Sequence, residues 1–157
     1  MKYNYKKWGN MMKIYSNKDI TERELFDFLD NMKNEFPISL DCKTNLKNTA
    51  NKLYNKGAIF LVKDENNKII GLIGGYINDL ISRRGYISVV VLKKEIRGKG
   101  IASSLVSKFL NEAKNHNMKE VWLYTYKNNN SAIKMYEKLG FKYVKEQNND
   151  FIYIKRF

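Results

Sequence analysis

Arg97-Gly98-Lys99-Gly100 puts two glycines and two cations in four consecutive positions, directly ahead of a helical apolar period at Ile101, Leu105, Phe109 and Ala113. A glycine turn that opens a helix leaves the first-turn N–H groups unpaired, beside the positive end of the helix dipole. Such a turn is suited to an anion. Gly98 and Gly100 let the backbone approach a phosphate without a Cβ in the way, while Arg97 and Lys99 add charge. Taken alone, the segment is as easily an ordinary turn. Two common phosphate patterns do not fit it. The dinucleotide fingerprint needs a third glycine and an acid about 20 residues on. The triphosphate loop ends in Gly-Lys-Ser/Thr, whereas Lys99 is followed by Gly100 and Ile101.

The elements around this turn are legible from periodicity. Ahead of it, Tyr86 to Leu92 is a continuous apolar run, expected to be a central strand covered on both faces. Upstream, Met11 to Tyr15 reads as a short strand. Asp19 and Thr21 then open a helix carrying Leu25, Phe26, Phe28 and Leu29, which Pro37 forbids from continuing. A second helix over about 42–55 uses Leu46, Ala50, Leu53 and Tyr54 and ends at Gly57. Ala58–Val62 and Ile69–Ile77 read as a hairpin about Glu65–Asn67. Downstream of the glycine turn come a strand at Val121–Tyr126, a turn at Asn128–Asn130, and a short helix from Ala132 to Leu139 closed by Gly140. A hairpin of Phe141–Val144 and Phe151–Ile154 completes the chain.

At 157 residues of uniform composition, the chain is expected to be a single domain over 1–157, with 1–10 a peripheral extension. The single cysteine, Cys42, and single histidine, His116, argue against an internal disulfide and a zinc site, and no metal is expected. Cys42 reads as a small buried residue, His116 as a helix-end residue, and Trp8 and Trp122 as packing residues. The N-terminus lacks the apolar run of a signal peptide or membrane span, so a cytoplasmic location without membrane association is expected. A formal charge of +13 favours polyanions in general. Its basic residues are dispersed, however, which argues against nucleic acid as a partner and leaves room for a local phosphate site.

Arg97-Gly98-Lys99-Gly100-Ile101-Ala102 resembles the acyl-CoA-binding motif Arg/Gln-x-x-Gly-x-Gly/Ala of the GNAT superfamily of N-acetyltransferases. A second block, Asn129-x-x-Ala132-Ile133-x-x-Tyr136-x-Lys138-x-Gly140-Phe141, resembles the motif that family places on its last helix. The resemblance covers the chain in outline. It implies an α/β (α+β) fold with a mixed, mostly antiparallel sheet splayed between its fourth and fifth strands and flanked by helices. Pantetheine would lie in the splay like an added strand. It further implies acetyl-CoA as cosubstrate and a small-molecule or peptide amine as acceptor, joined in a ternary complex. A homodimer stays open.

By the same resemblance, the backbone of Arg97–Ala102, with Ser103 just inside the helix, would hold the pyrophosphate. Val91 and Leu92 would offer main-chain groups to the pantetheine and the thioester carbonyl, where an N–H stabilises a developing oxyanion. Tyr136 would be the general acid: a phenol with a pKa of about 10 stays protonated at neutral pH and can donate to a departing thiolate of about 8.5. The alternative for Tyr136 is a core aromatic. Asn129 would touch the cofactor arm or cap the helix. The chain departs from the family where many members carry a carboxylate before the cofactor motif, since Ser88-Val89-Val90 has none; Ser88 could hold a proton-passing water. Two other functions compete: a non-catalytic acyl-CoA sensor and a basic nucleic-acid-binding module.

Overall fold

The computed structural model describes residues 7–8, 11–36, 39, 41 and 45–157. Its strands are β1 (Lys7–Trp8), β2 (Met11–Met12), β3 (Tyr15–Ser16), β4 (Ala58–Lys63), β5 (Ile69–Tyr76), β6 (Arg84–Leu92), β7 (Glu120–Tyr126), β8 (Lys142–Gln147) and β9 (Asp150–Arg156). Among the described residues, the α-helices α1 (Glu22–Met32), α2 (Leu46–Lys56), α3 (Ile101–Asn115) and α4 (Asn130–Lys138) accompany them. β1 and β2 form a two-stranded ribbon of their own. The other seven strands make one sheet in the order β3-β4-β5-β6-β7-β9-β8. Every neighbouring pair is antiparallel except β6 and β7, the fourth and fifth strands, which run parallel. Parallel neighbours need a long crossover, and α3 supplies it.

Local chemistry accounts for the element ends. Thr21 and Glu24 form a reciprocal capping box at the start of α1, and Asn45 caps α2 through the Asn48 N–H. Each such cap stabilises its helix by about 1 kcal/mol. Apolar faces of both helices then cover one side of the sheet, where Leu25, Leu29 and Leu53 close against Ile59, Leu61 and Leu72. On the other side, Leu105, Phe109 and Ala113 of α3 lie against Ile70, Ile73 and Ile87. Fully burying side chains of this size contributes roughly 1.5–3 kcal/mol each.

Three expectations shift. The strand foreseen at Met11–Tyr15 is divided: Met11 and Met12 pair with Trp8 and Lys7, and only Tyr15 and Ser16 join the main sheet. α2 begins at Leu46 behind its Asn45 cap, and Pro37 and Cys42 lie outside the described residues. The terminal hairpin is longer than its apolar residues suggest, because Asn148 and Asn149 both take positive φ and make a tight turn between β8 and β9. His116 does end α3, with its ring Nδ1 2.8 Å from the Glu112 carbonyl oxygen.

Candidate active site

β6 and β7 pair over four positions, from Arg84 with Glu120 to Ile87 with Leu123, and then part. The cause is one residue. Val89 lies opposite Gly74 and Ile87 opposite Gly75, so Ser88 is an extra residue without a partner on β5. A bulge of this kind bends its strand and increases its twist. Glycine on the facing strand makes room for it: a Cβ at Gly75 would run into the Tyr86 carbonyl oxygen and the Phe109 ring. The bulge also shifts the side-chain phase. Ile87 faces the α3 core, whereas Val89 and Val91 face the α1 and α2 core. Consequently β6 is not covered on both faces throughout, as its composition predicts; Ser88 is exposed and Val90 half-buried where the strands separate.

That separation is the spine of a cleft of about 1260 Å³. At one end lies the glycine turn. Gly98 and Gly100 have φ of 74° and 79°, a left-handed conformation that costs other residues roughly 1–2 kcal/mol. An added Cβ at either would meet nothing within 4 Å, so both positions face open space. Gly100 is the N-cap of α3, with no side chain capping it and no acid in the first turn. The leading N–H groups of the helix are therefore left for an external acceptor. Gly98, Gly100, Ile101, Ala102 and Ser103 line the cleft, while Lys99 is exposed and does not. The Arg97 guanidinium also lines it but is engaged: Nε donates to the Leu92 carbonyl at 3.0 Å and a terminal nitrogen donates to Glu35 at 3.1 Å. These bonds tie the turn to the end of β6 and to the residues just after α1.

Val91 and Leu92 of β6 line the cleft, as do Asn129 and Tyr136 at and within α4. Tyr136 is 6% exposed and packs edge-on against Phe141 at 5.5 Å between ring centres. Burial pushes its phenol far up from the ordinary tyrosine value, so the group keeps its proton. Asn129 occupies the N-cap position of α4 without capping it; its Oδ1 accepts from the Ser131 hydroxyl at 3.4 Å. Lys134 and Lys138 are exposed and stand outside the lining residues.

The far end carries an aromatic face. Tyr86 lies 4.4 Å from Trp122 between ring centres and 6.4 Å from Tyr124, and Trp122 and Tyr124 are 5.2 Å apart. Tyr76, paired with Tyr86 across β5 and β6, extends the face toward Lys52, whose Nζ sits 4.9 Å from its ring centre. Burial raises the Tyr76 and Tyr86 phenols; Tyr86 is also raised by the neighbouring Tyr124, Tyr76 and Asp150. Asp150 also lines the cleft, directly opposite Tyr126 in the β7–β9 ladder. Among the described residues, no cluster of His, Cys, Asp and Glu could hold a metal ion, and no helix is long and apolar enough to cross a membrane.

Residues 22–141 match the Acetyltransferase (GNAT) family. The chain belongs to that family. It is 43% identical over 58 residues to N-alpha-acetyltransferase 30 of Schizosaccharomyces pombe, a match covering 37% of this chain and 39% of that protein. To the N-alpha-acetyltransferase of Saccharolobus solfataricus it is 33% identical over 99 residues, 57% of this chain and 59% of that one. Both matches span less than two thirds of the relative's length. A Bacillus anthracis acetyltransferase solved with acetyl coenzyme A is similar in structure, with a TM-score of 0.58 and 27% identity over 68% of this chain and 67% of that one.

In this GNAT domain the splay between the fourth and fifth strands, the glycine turn and the Tyr136 helix share one cleft, as the sequence motifs imply. The aromatic end was not foreseen. Alternation along Trp122-Leu123-Tyr124-Thr125-Tyr126 could have revealed it, because residues two apart in a strand share a face.

Proposed function

We propose that this GNAT chain is an N-acetyltransferase that transfers the acetyl group of acetyl-CoA to the amino group of a peptide by direct attack in a ternary complex. The observation that carries this reading is the parting of β6 and β7, which opens one cleft from the uncapped end of α3, past Tyr136, to the aromatic face. The N-alpha-acetyltransferase relatives favour a peptide amino terminus as acceptor, though small primary amines fit the same chemistry.

The residues fit the donor. First-turn N–H groups of Ile101, Ala102 and Ser103 would take the pyrophosphate, and the open space at Gly98 and Gly100 lets it approach them. The edge of β6 beyond Ile87, freed from β7, would offer main-chain groups to the pantetheine and an N–H to the oxyanion. The amine nitrogen then attacks the thioester carbon, the C–S bond breaks, and Tyr136 gives its proton to the departing sulfur. Burial makes the phenol a weaker acid, but a thiolate forming in the same apolar wall holds its charge equally badly and takes the proton more readily. The proton released by the amine leaves through water held near Ser88, which is exposed at the bulge.

The test is acceptor-dependent thiol release from acetyl-CoA over a panel of peptide amino termini and small amines. Tyr136→Phe is expected to lower kcat about 100-fold while leaving CoA affinity within threefold. Tight CoA binding without turnover on any amine would instead identify a sensor. No CoA binding at all would end the reading.

A further inference from the structure

Every primary amine offers the same nitrogen, so one acceptor is told from another by the groups beside it. Among the described residues lining the cleft, the cations are Arg97 and Lys52. Arg97 is matched by Glu35 at 3.1 Å and held to the Leu92 carbonyl at 3.0 Å, at the glycine-turn end. Lys52 stands on α2, and no described carboxylate forms an ion pair with it. Its Nζ lies 4.9 Å from the centre of the Tyr76 ring, and Tyr76 is paired with Tyr86 across β5 and β6. The lysine is thereby fixed beside the strand that parts from β7. Asn48 precedes it by one helical turn, shares its face of α2 and also lines the cleft. Ammonium, amide and phenol all donate hydrogen bonds, and this group contains no carboxylate. The carboxylates that line the cleft lie away from it. Glu35 is at the glycine turn, and Asp150 is on β9, three places from β5 in the sheet and so roughly 14 Å away across the strands.

We propose that Lys52, with Asn48 and Tyr76, forms a subsite for a carboxylate that the acceptor carries close to its amine. The inference rests on the acetyltransferase reading above and names the acceptor class which that reading leaves open. Spacing sets how close the carboxylate must be. Ser88, beside which the amine loses its proton, follows Tyr86 by two residues, at most roughly 7 Å along the strand. An extended peptide covers the same distance in two residues, so the carboxylate belongs to an acidic second residue or to the terminus of an equally short acceptor. The Tyr76 ring restrains the lysine chain, which lowers the entropy lost when the ammonium pairs. Because Lys52 is exposed, the pair selects among acceptors more than it tightens binding.

The experiment measures kcat/KM for hexapeptide amides carrying glutamate at the second position, glutamine at the second position, or glutamate at the sixth. Methionyl-alanine with a free or an amidated carboxyl terminus is measured beside them. The wild type is expected to favour second-position glutamate over glutamine about fivefold, the scale of an exposed ion pair. Lys52→Gln should bring that ratio to about 1 and Lys52→Glu should reverse it, with CoA affinity by calorimetry within about threefold because the glycine turn is a separate site. A gain that depends on Lys52 for the free dipeptide, and not for glutamate, would assign the carboxylate to the acceptor's own terminus. No such gain from either source overturns the subsite. So does an equal gain from glutamate at the sixth position, or a preference that survives in Lys52→Gln, since either would assign selection to the overall charge of the protein. Should a variant fail to fold, the comparison of second and sixth positions in the wild type still decides. If no acceptor releases thiol from acetyl-CoA, the transferase reading has failed and the subsite with it, a result distinct from turnover without preference.

Discussion

Gly100 joins two roles that one substitution can separate. Its φ of 79° makes alanine costly by about 1 kcal/mol of stability, yet the surrounding space means that no neighbour has to move. Gly100→Ala should therefore fold with a small drop in Tm, while a methyl in the mouth of the cradle weakens CoA binding tenfold or more. Calorimetry alongside thermal melting checks both, and equal CoA affinity would mean the pyrophosphate lies elsewhere. Arg97 shows where reading at this scale stops. Its place in the motif was plain from spacing, but its bond to Glu35 joins residues far apart in the chain that no local pattern connects. Asp150 was hidden for a similar reason. Within Glu146-Gln147-Asn148-Asn149-Asp150 it reads as one more polar turn residue, and only the β7–β9 register brings it beside Tyr126.

α4 holds the catalytic candidate, and one side-chain bond fastens that helix to the sheet. The Tyr153 hydroxyl on β9 donates to Glu137, the residue next to Tyr136, at 3.0 Å. Burial, then the Glu137 bond and charge, push the Tyr153 phenol up to about 12. Because the folded value lies above the ordinary one of about 10, the contribution is complete below pH 10 and declines as pH rises through 12. Tyr153→Phe should lower unfolding free energy in urea by about 1–2 kcal/mol at pH 8 and should lack this part of the alkaline decline. Identical urea curves for the two proteins at pH 8 and at about pH 11 would show that α4 is held by packing alone. Periodicity made the long elements readable, α3 from its 3.6-residue apolar repeat and β4 from its apolar run. It could not show how Met11–Ser16 divides between two sheets, since an apolar dipeptide suits either pairing.

Across the whole molecule, charge acts on the acceptor beyond its amine. With +13 overall and Lys52 on the cleft wall, a peptide whose second to fourth residues are acidic should be acetylated faster than one carrying lysines there. That preference should shrink between 50 and 300 mM salt as screening shortens the reach of the field. Equal kcat/KM for the two peptides at low salt would show that the field plays no part in selection. Dispersed lysines made the sign of this field evident from composition, whereas the presence of Lys52 on the cleft wall depends on folding.

The cleft is, finally, a matter of parity. Ser88 adds one residue to β6 and so turns an even step into an odd one. Side chains on either side of it answer to different cores, and the strand is thrown clear of its neighbour. Exchanging Ser88 for another small residue keeps the count, while removing it restores an unbroken alternation and a sheet with no reason to open. The opening of the cleft is thus written in the length of a strand more than in its letters. Deleting that one position should carry β6 on alongside β7 and narrow the gap, whichever side chains line it.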